Sequence, residues 1–194
     1  MIRTIPRVYV DLSSQEVFSV LQQLLNVKKA TGSDRLHEFE KAYACYIGTK
    51  YAVSFPSCRS SMYFALRALN LGRGSEVILP AFTFWVDAAL VIMAGLKPVF
   101  VDVDLNTANM DVSKIEAAIT PKTKVIFPTH LNGMPAEMDP IMSIAGKYGL
   151  RVLEDCARSC GATYKGKRIG SFDVGAFSFG YGKSFYSFGG GMIT

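Results

Sequence analysis

Short, mainly apolar runs alternate along this chain with longer stretches in which apolar residues recur every three or four positions, and this alternation restricts the fold more than anything else. The runs fall at 51–55, 76–80, 98–103, 123–129, 151–155 and 174–180. Helical spacing marks 59–71, 83–94, 111–118 and 138–148 between them. Two amphipathic helices, 13–26 behind a serine cap and 34–48 ending at Gly48, come first. The runs are apolar on both faces, as in strands covered by helices on either side. The expected fold is therefore α/β: three layers, α/β/α, around a mostly parallel sheet. With 194 residues, 49% of them hydrophobic, the chain can bury the core such a sheet needs.

Composition removes several function classes. The net charge is +5, but the basic residues are scattered, and the cluster Lys165-Gly166-Lys167-Arg168 reads as a solvated turn, so nucleic acid is not an expected partner. No run of 18 apolar residues occurs, so no membrane span is expected. Four cysteines without a disulfide-like spacing fit a reducing cytoplasm. Cys156 and Cys160 lack partners at metal-ligand spacing, and no metal site is expected. No strand is followed by G-x-G-x-x-G, which argues against a nicotinamide enzyme.

In an open α/β sheet, ligands bind beyond the carboxyl ends of the strands, so chemistry is sought just after each run. Ser57, Cys58, Arg59, Ser60 and Ser61 lie between a strand and a helix. Their N–H groups and hydroxyls suit a phosphate or, more simply, a serine helix cap. Phe84 opens a helix and suits either the core or stacking on a planar heteroaromatic ring. Asp155 closes the apolar run "RVLED", and a carboxylate there needs a partner: a helix N-terminus, a metal or a protonated ring nitrogen. Lys183 is the only charged residue after Asp173. Phe177, Phe179, Tyr181, Phe185, Tyr186 and Phe188 surround it in sequence and are expected to desolvate the ammonium and favour the nucleophilic amine, although a lone lysine after a strand is ordinarily a surface residue. Together these supply a phosphate cradle, a stacking ring, an acid for a ring nitrogen and an amine for an aldehyde. One cofactor uses all four, pyridoxal 5′-phosphate.

Three stretches carry a further resemblance: 76–139, from "EVILPAFTFW" to "GMPAEMD"; 152–179, "VLEDCARSCGATYKGKRIGSFDVGAFSF"; and the lysine with the glycine run that follows. In this order they resemble the DegT/DnrJ/EryC1/StrS aminotransferases, pyridoxal-phosphate enzymes of fold-type I that act mainly on sugar nucleotides. The resemblance implies the large cofactor-binding domain of that fold. It implies that Lys183 bonds the cofactor's aldehyde, that Asp155 keeps the pyridine nitrogen protonated, and that Phe84 stacks on the ring. Cys58, Arg59 and Ser178 fall around the phosphate, and His130 matches a recurrent histidine without an assigned role. Arg158 in "EDCAR" stands where the family has a glutamine that contacts the phenolic oxygen. "SCRSSM" replaces the common "SGTAAL", and "FGGG" replaces "GEGG".

The implied reaction is transfer of an amino group from an amino acid, glutamate by analogy, to a keto-sugar nucleotide. Its setting would be cell-surface polysaccharide or secondary-metabolite sugar synthesis, in a cytoplasmic homodimer. Two alternatives remain: a sugar dehydratase of the same family, whose members carry histidine in place of the lysine, and a non-catalytic remnant or interaction module with the same fold. Residues 1–30 are expected to form an N-terminal strip and helix, and 31–194 the large domain. Because the chain stops inside an expected strand at Thr194, the small C-terminal domain of the family is expected to be missing.

Overall fold

The computed structural model describes residues 13–25, 33–187 and 189–194. The alternation becomes helices α1 (Ser14–Leu25), α2 (Ser33–Ile47), α3 (Cys58–Ala68), α4 (Val86–Met93), α5 (Ile115–Ala118) and α6 (Met138–Tyr148). The strands are β1 (Val53–Phe55), β2 (Glu76–Pro80), β3 (Lys97–Val101), β4 (Thr123–Ile126), β5 (Arg151–Asp155), β6 (Thr163–Tyr164), β7 (Lys167–Arg168), β8 (Val174–Ser178) and β9 (Gly191–Ile193).

Seven strands form one sheet in the order β1-β9-β8-β5-β4-β2-β3. β3, β2, β4, β5 and β8 pair in parallel, while β9 runs antiparallel between β8 and β1. The period-two alternation of side chains explains why these strands read as apolar on both faces. Val77, Leu79, Val125 and Leu153 pack with Met62 and Leu66 of α3 and Leu90 of α4 on one face. Their neighbours Ile78, Ile126 and Val152 pack with Ile115 of α5 and Ile141 of α6 on the other. The expected three-layer α/β/α sheet is what forms.

Differences from the sequence expectation occur where local pattern is weakest. Lys165-Gly166-Lys167-Arg168 does lie in a turn, but one that closes the two-stranded hairpin β6–β7, with Lys165 at φ 49° and Gly166 at φ 81°. The strand at the chain's end inserts antiparallel into the sheet rather than extending its parallel half. A close approach explains the glycine there: a Cβ on Gly191 would lie 2.4 Å from the Cys58 nitrogen and 2.5 Å from the Ser57 carbonyl carbon. Among the described residues, no helix is long and apolar enough to cross a membrane.

Candidate active site

The carboxyl ends of β2, β4, β5 and β8 border one cavity of about 520 Å³. Cys58, Arg59, Phe84, Asp155, Arg158, Ser178 and Lys183 all line it, as do Ser57 and His130, whereas Ser60 and Ser61 do not. Ser57 is the N-cap of α3, its hydroxyl accepting from the Ser60 N–H at 3.1 Å. The cap and the cavity wall are thus the same residue, and the two readings of this turn do not compete. Phe84 is not core: it is 57% exposed, with its ring tilted against Trp85.

Asp155 is 5% exposed and held on three sides. Its N–H donates to the Pro128 carbonyl, its carbonyl accepts from the His130 N–H, and its Oδ1 accepts from the Ala157 N–H at 2.8 Å. Burial pushes its pKa above the usual carboxylate value, while the Ala157 bond and the Lys183 charge pull the other way.

Behind Asp155 lies a cluster that resembles a metal site: His130, Glu154 and Cys156, all buried, with potential ligand atoms within 4.8 Å of one another. Each of these atoms already has a hydrogen-bonding role. The Ala136 N–H donates to His130 Nδ1, which puts the ring hydrogen on Nε2, facing Glu154 Oε2 at 3.1 Å. Glu154 also accepts from the N–H groups of Gly170 and Phe172. The Cys156 thiol points at the Glu154 carbonyl, and burial raises its pKa well above the ordinary value. This lock gives His130 a place in the structure: it ties the end of β4 to β5 and to the turn before β8.

Lys183 follows β8 in a turn where its N–H donates to the Gly180 carbonyl. Its amine is shifted below the ordinary lysine value, in the expected direction and first through desolvation, although several of the aromatics expected around it lie elsewhere. Alternation along β8 sends Phe177 and Phe179 to the opposite face, where they pack against Tyr43 of α2. Tyr181 is 75% exposed, and Phe188 lies outside the described residues. The shift comes first from burial in the cavity wall and then from the Arg158 charge. The sequence reading missed Asp87, on the first turn of α4, which is 1% exposed and lines the same cavity. Its one available signal was an acid in the first turn of a helix with no polar face.

Comparison with known proteins agrees with this geometry. The profile of the DegT/DnrJ/EryC1/StrS aminotransferase family matches residues 12–194. The chain is 49% identical over 149 residues to a UDP-N-acetyl-3-dehydro-alpha-D-glucosamine 3-aminotransferase of Acidithiobacillus ferrooxidans, covering 76% of this chain and 40% of that protein. It is 46% identical over 158 residues to a GDP-perosamine synthase of Caulobacter vibrioides, covering 81% and 43%. The crystal structure of NtdA from Bacillus subtilis with bound cofactor PMP superposes with a TM-score of 0.88 at 34% identity, over 100% of this chain and 45% of that one. The chain therefore spans less than half the length of each of these relatives. A profile match across nearly its whole length, joined to this fold, shows that the chain belongs to the DegT/DnrJ/EryC1/StrS aminotransferase family.

Proposed function

We propose that this chain carries the cofactor site of a pyridoxal-phosphate aminotransferase that aminates a keto-sugar nucleotide, with an amino acid such as glutamate as donor. One observation carries the reading: a single cavity brings together a half-buried lysine of lowered pKa, a buried aspartate, an exposed aromatic ring and the capped N-terminus of an 11-residue helix.

The donor set suits this cofactor. The close approach of Gly191 to Cys58 shapes the wall beside the helix start, where N–H groups and the positive end of the helix dipole favour a phosphate. Ser57, Cys58, Arg59 and Ser178 would hold that phosphate. Phe84 would lie against the ring, worth about 0.5–1.5 kcal/mol beyond burial. Asp155 would accept a hydrogen bond from the ring nitrogen and hold its proton there. Arg158 would meet the ring's phenolic oxygen as a cation. Bound pyridoxal phosphate supplies an aldehyde and an electron sink. Lys183 Nζ, freed of its proton more readily than an exposed lysine, would be the amine that meets that aldehyde and the group that would hold or give up a proton beside the substrate.

A lysine rather than a histidine at position 183 favours amination over the dehydratase alternative. The exposed apolar residues Phe82, Trp85, Ile92 and Met93 around α4 support a homodimer. Four free cysteines, one of them exposed, support a cytoplasmic setting.

The test is covalent capture. Incubation with pyridoxal phosphate and reduction by borohydride is expected to add one cofactor mass at Lys183, and Lys183→Ala is expected to take up none. Absence of the adduct from the wild-type chain would remove the assignment.

A further inference from the structure

Asp87 has no part in the site just described, yet its surroundings are unusual for an aspartate in the first turn of a helix. Such a residue ordinarily faces water, where its charge complements the helix dipole. Here it is almost fully buried, and a buried carboxylate must be paired or keep its proton. Its hydrogen-bond partner is Thr83, which is bonded to Thr129, and Thr129 bridges to Asp155 at the strand ends, so the two carboxyls share one cavity wall.

The direction of these bonds locates a proton. Thr83 Oγ1 donates to Asp87 Oδ2 at 2.8 Å. A hydroxyl has one hydrogen, so the 2.7 Å contact between Thr83 and Thr129 must be donated by Thr129. The chain runs Thr129 to Thr83 to Asp87, and Oδ2 ends it as an acceptor. Two ionised carboxylates buried on one cavity wall repel each other, which favours a single proton shared by the pair. Asp155 accepts a backbone N–H through Oδ1. Asp87, the more deeply buried of the two and met by a hydroxyl rather than a backbone N–H, is the acid.

We infer that Asp87 is the carboxylic-acid partner of Asp155, a positioning residue that holds one proton in the pair and leaves a single negative charge facing the cavity. A single charge suits a protonated aromatic ring nitrogen, and this last step rests on the cofactor reading above. Burial first, and the negative charge of Asp155 second, push Asp87 up to about 8, while Lys183 acts in the opposite direction. The other titratable groups facing the pair are Cys58, whose thiol is raised by burial, and His130, whose Nδ1 accepts from the Ala136 N–H so that the ring adds no charge. Over the neutral range the pair therefore keeps one proton, as two carboxyls at one site do when they cannot both ionise.

Two measurements test this. Carboxyl ¹³C NMR titration of the cofactor-free chain is expected to show one aspartate titrating near pH 8. That signal should vanish in Asp87→Asn and move to lower pH in Asp155→Asn, where the neighbouring charge is gone. Pyridoxal-phosphate binding, followed by absorbance at neutral pH, should be within about threefold of wild type in Asp87→Asn, whose amide still donates, and about tenfold weaker in Asp87→Leu. An Asp87 signal that titrates below pH 5 overturns the pair, and equal affinities for the two variants overturn its positioning role. Failure of the wild-type chain to bind pyridoxal phosphate counts against the cofactor reading alone, because the NMR titration does not depend on the cofactor.

Discussion

The two walls of the cavity are built in opposite ways. The acidic wall, Asp155 with Asp87, His130 and Glu154 behind it, is buried and held by hydrogen bonds from β4, β5 and the turn before β8. The basic wall, Lys183 with Arg158, sits after β8 in a turn, and Lys183 is only half buried. A group that must hold a ring nitrogen at one point gains from rigidity. On the proposed reading, a lysine that bonds an aldehyde, lets go and returns a proton needs room to swing. The same strand ends deliver both, and what differs is how many neighbours fix each one.

Lys183→Ala breaks the comparison most completely: uptake of cofactor into a reducible adduct falls to nothing while folding survives, since the side chain supports no core. Circular dichroism and mass spectrometry check both halves. Gly191→Ala should do the reverse. Its Cβ would overlap the backbone of Ser57 and Cys58, which cannot move aside as a side chain tip could, so a loss of roughly 2–4 kcal/mol is expected in urea unfolding.

Legibility in the sequence follows the same division. β2 and β5 are found to the residue, because both faces are buried and every position from Glu76 to Pro80 carries that information. The antiparallel place of β9 is not legible, since it depends on insertion between its near neighbour β8 and β1, which is far away in sequence. Lys183 and Asp155 stand out as strand-end residues, yet the aromatic shell around Lys183 was misread. Nearness in sequence is not nearness in space when a strand sends alternate residues to opposite faces. Asp87 escaped notice because a first-turn aspartate looks like an ordinary dipole partner, and only tertiary burial turns it into an acid.

That burial gives a pH signature. The folded value of Asp87, about 8, lies above its ordinary 3.8, so the folded chain binds this proton more tightly than the unfolded one. The associated stability is complete below pH 3.8 and is lost as pH rises through about 8. Asp87→Asn, which has no such proton to lose, should gain on wild type across that window, by up to about 5 kcal/mol at its alkaline end. Thermal unfolding at pH 5 and pH 9 measures it. A constant difference between the two proteins would mean that Asp87 titrates normally.

The basic wall yields the smallest effect. Arg158 and Lys183 share the cavity, and after burial the Arg158 charge is the next cause of the lowered lysine value. Arg158→Gln removes that charge, restores the residue the family usually has, and leaves burial unchanged. The Lys183 value should therefore move back toward that of an ordinary lysine, so that less neutral amine is present at pH 7.5 and adduct formation slows by about two- to fivefold. Well above pH 10.5, the ordinary lysine value, where the amine is free in either protein, the two rates should converge. The pH–rate profile separates this from a lost contact with the cofactor: a charge effect shifts the profile along the pH axis, whereas a lost contact lowers it at every pH. A profile lowered uniformly would assign Arg158 to holding the ring and leave burial as the main reason that Lys183 is reactive.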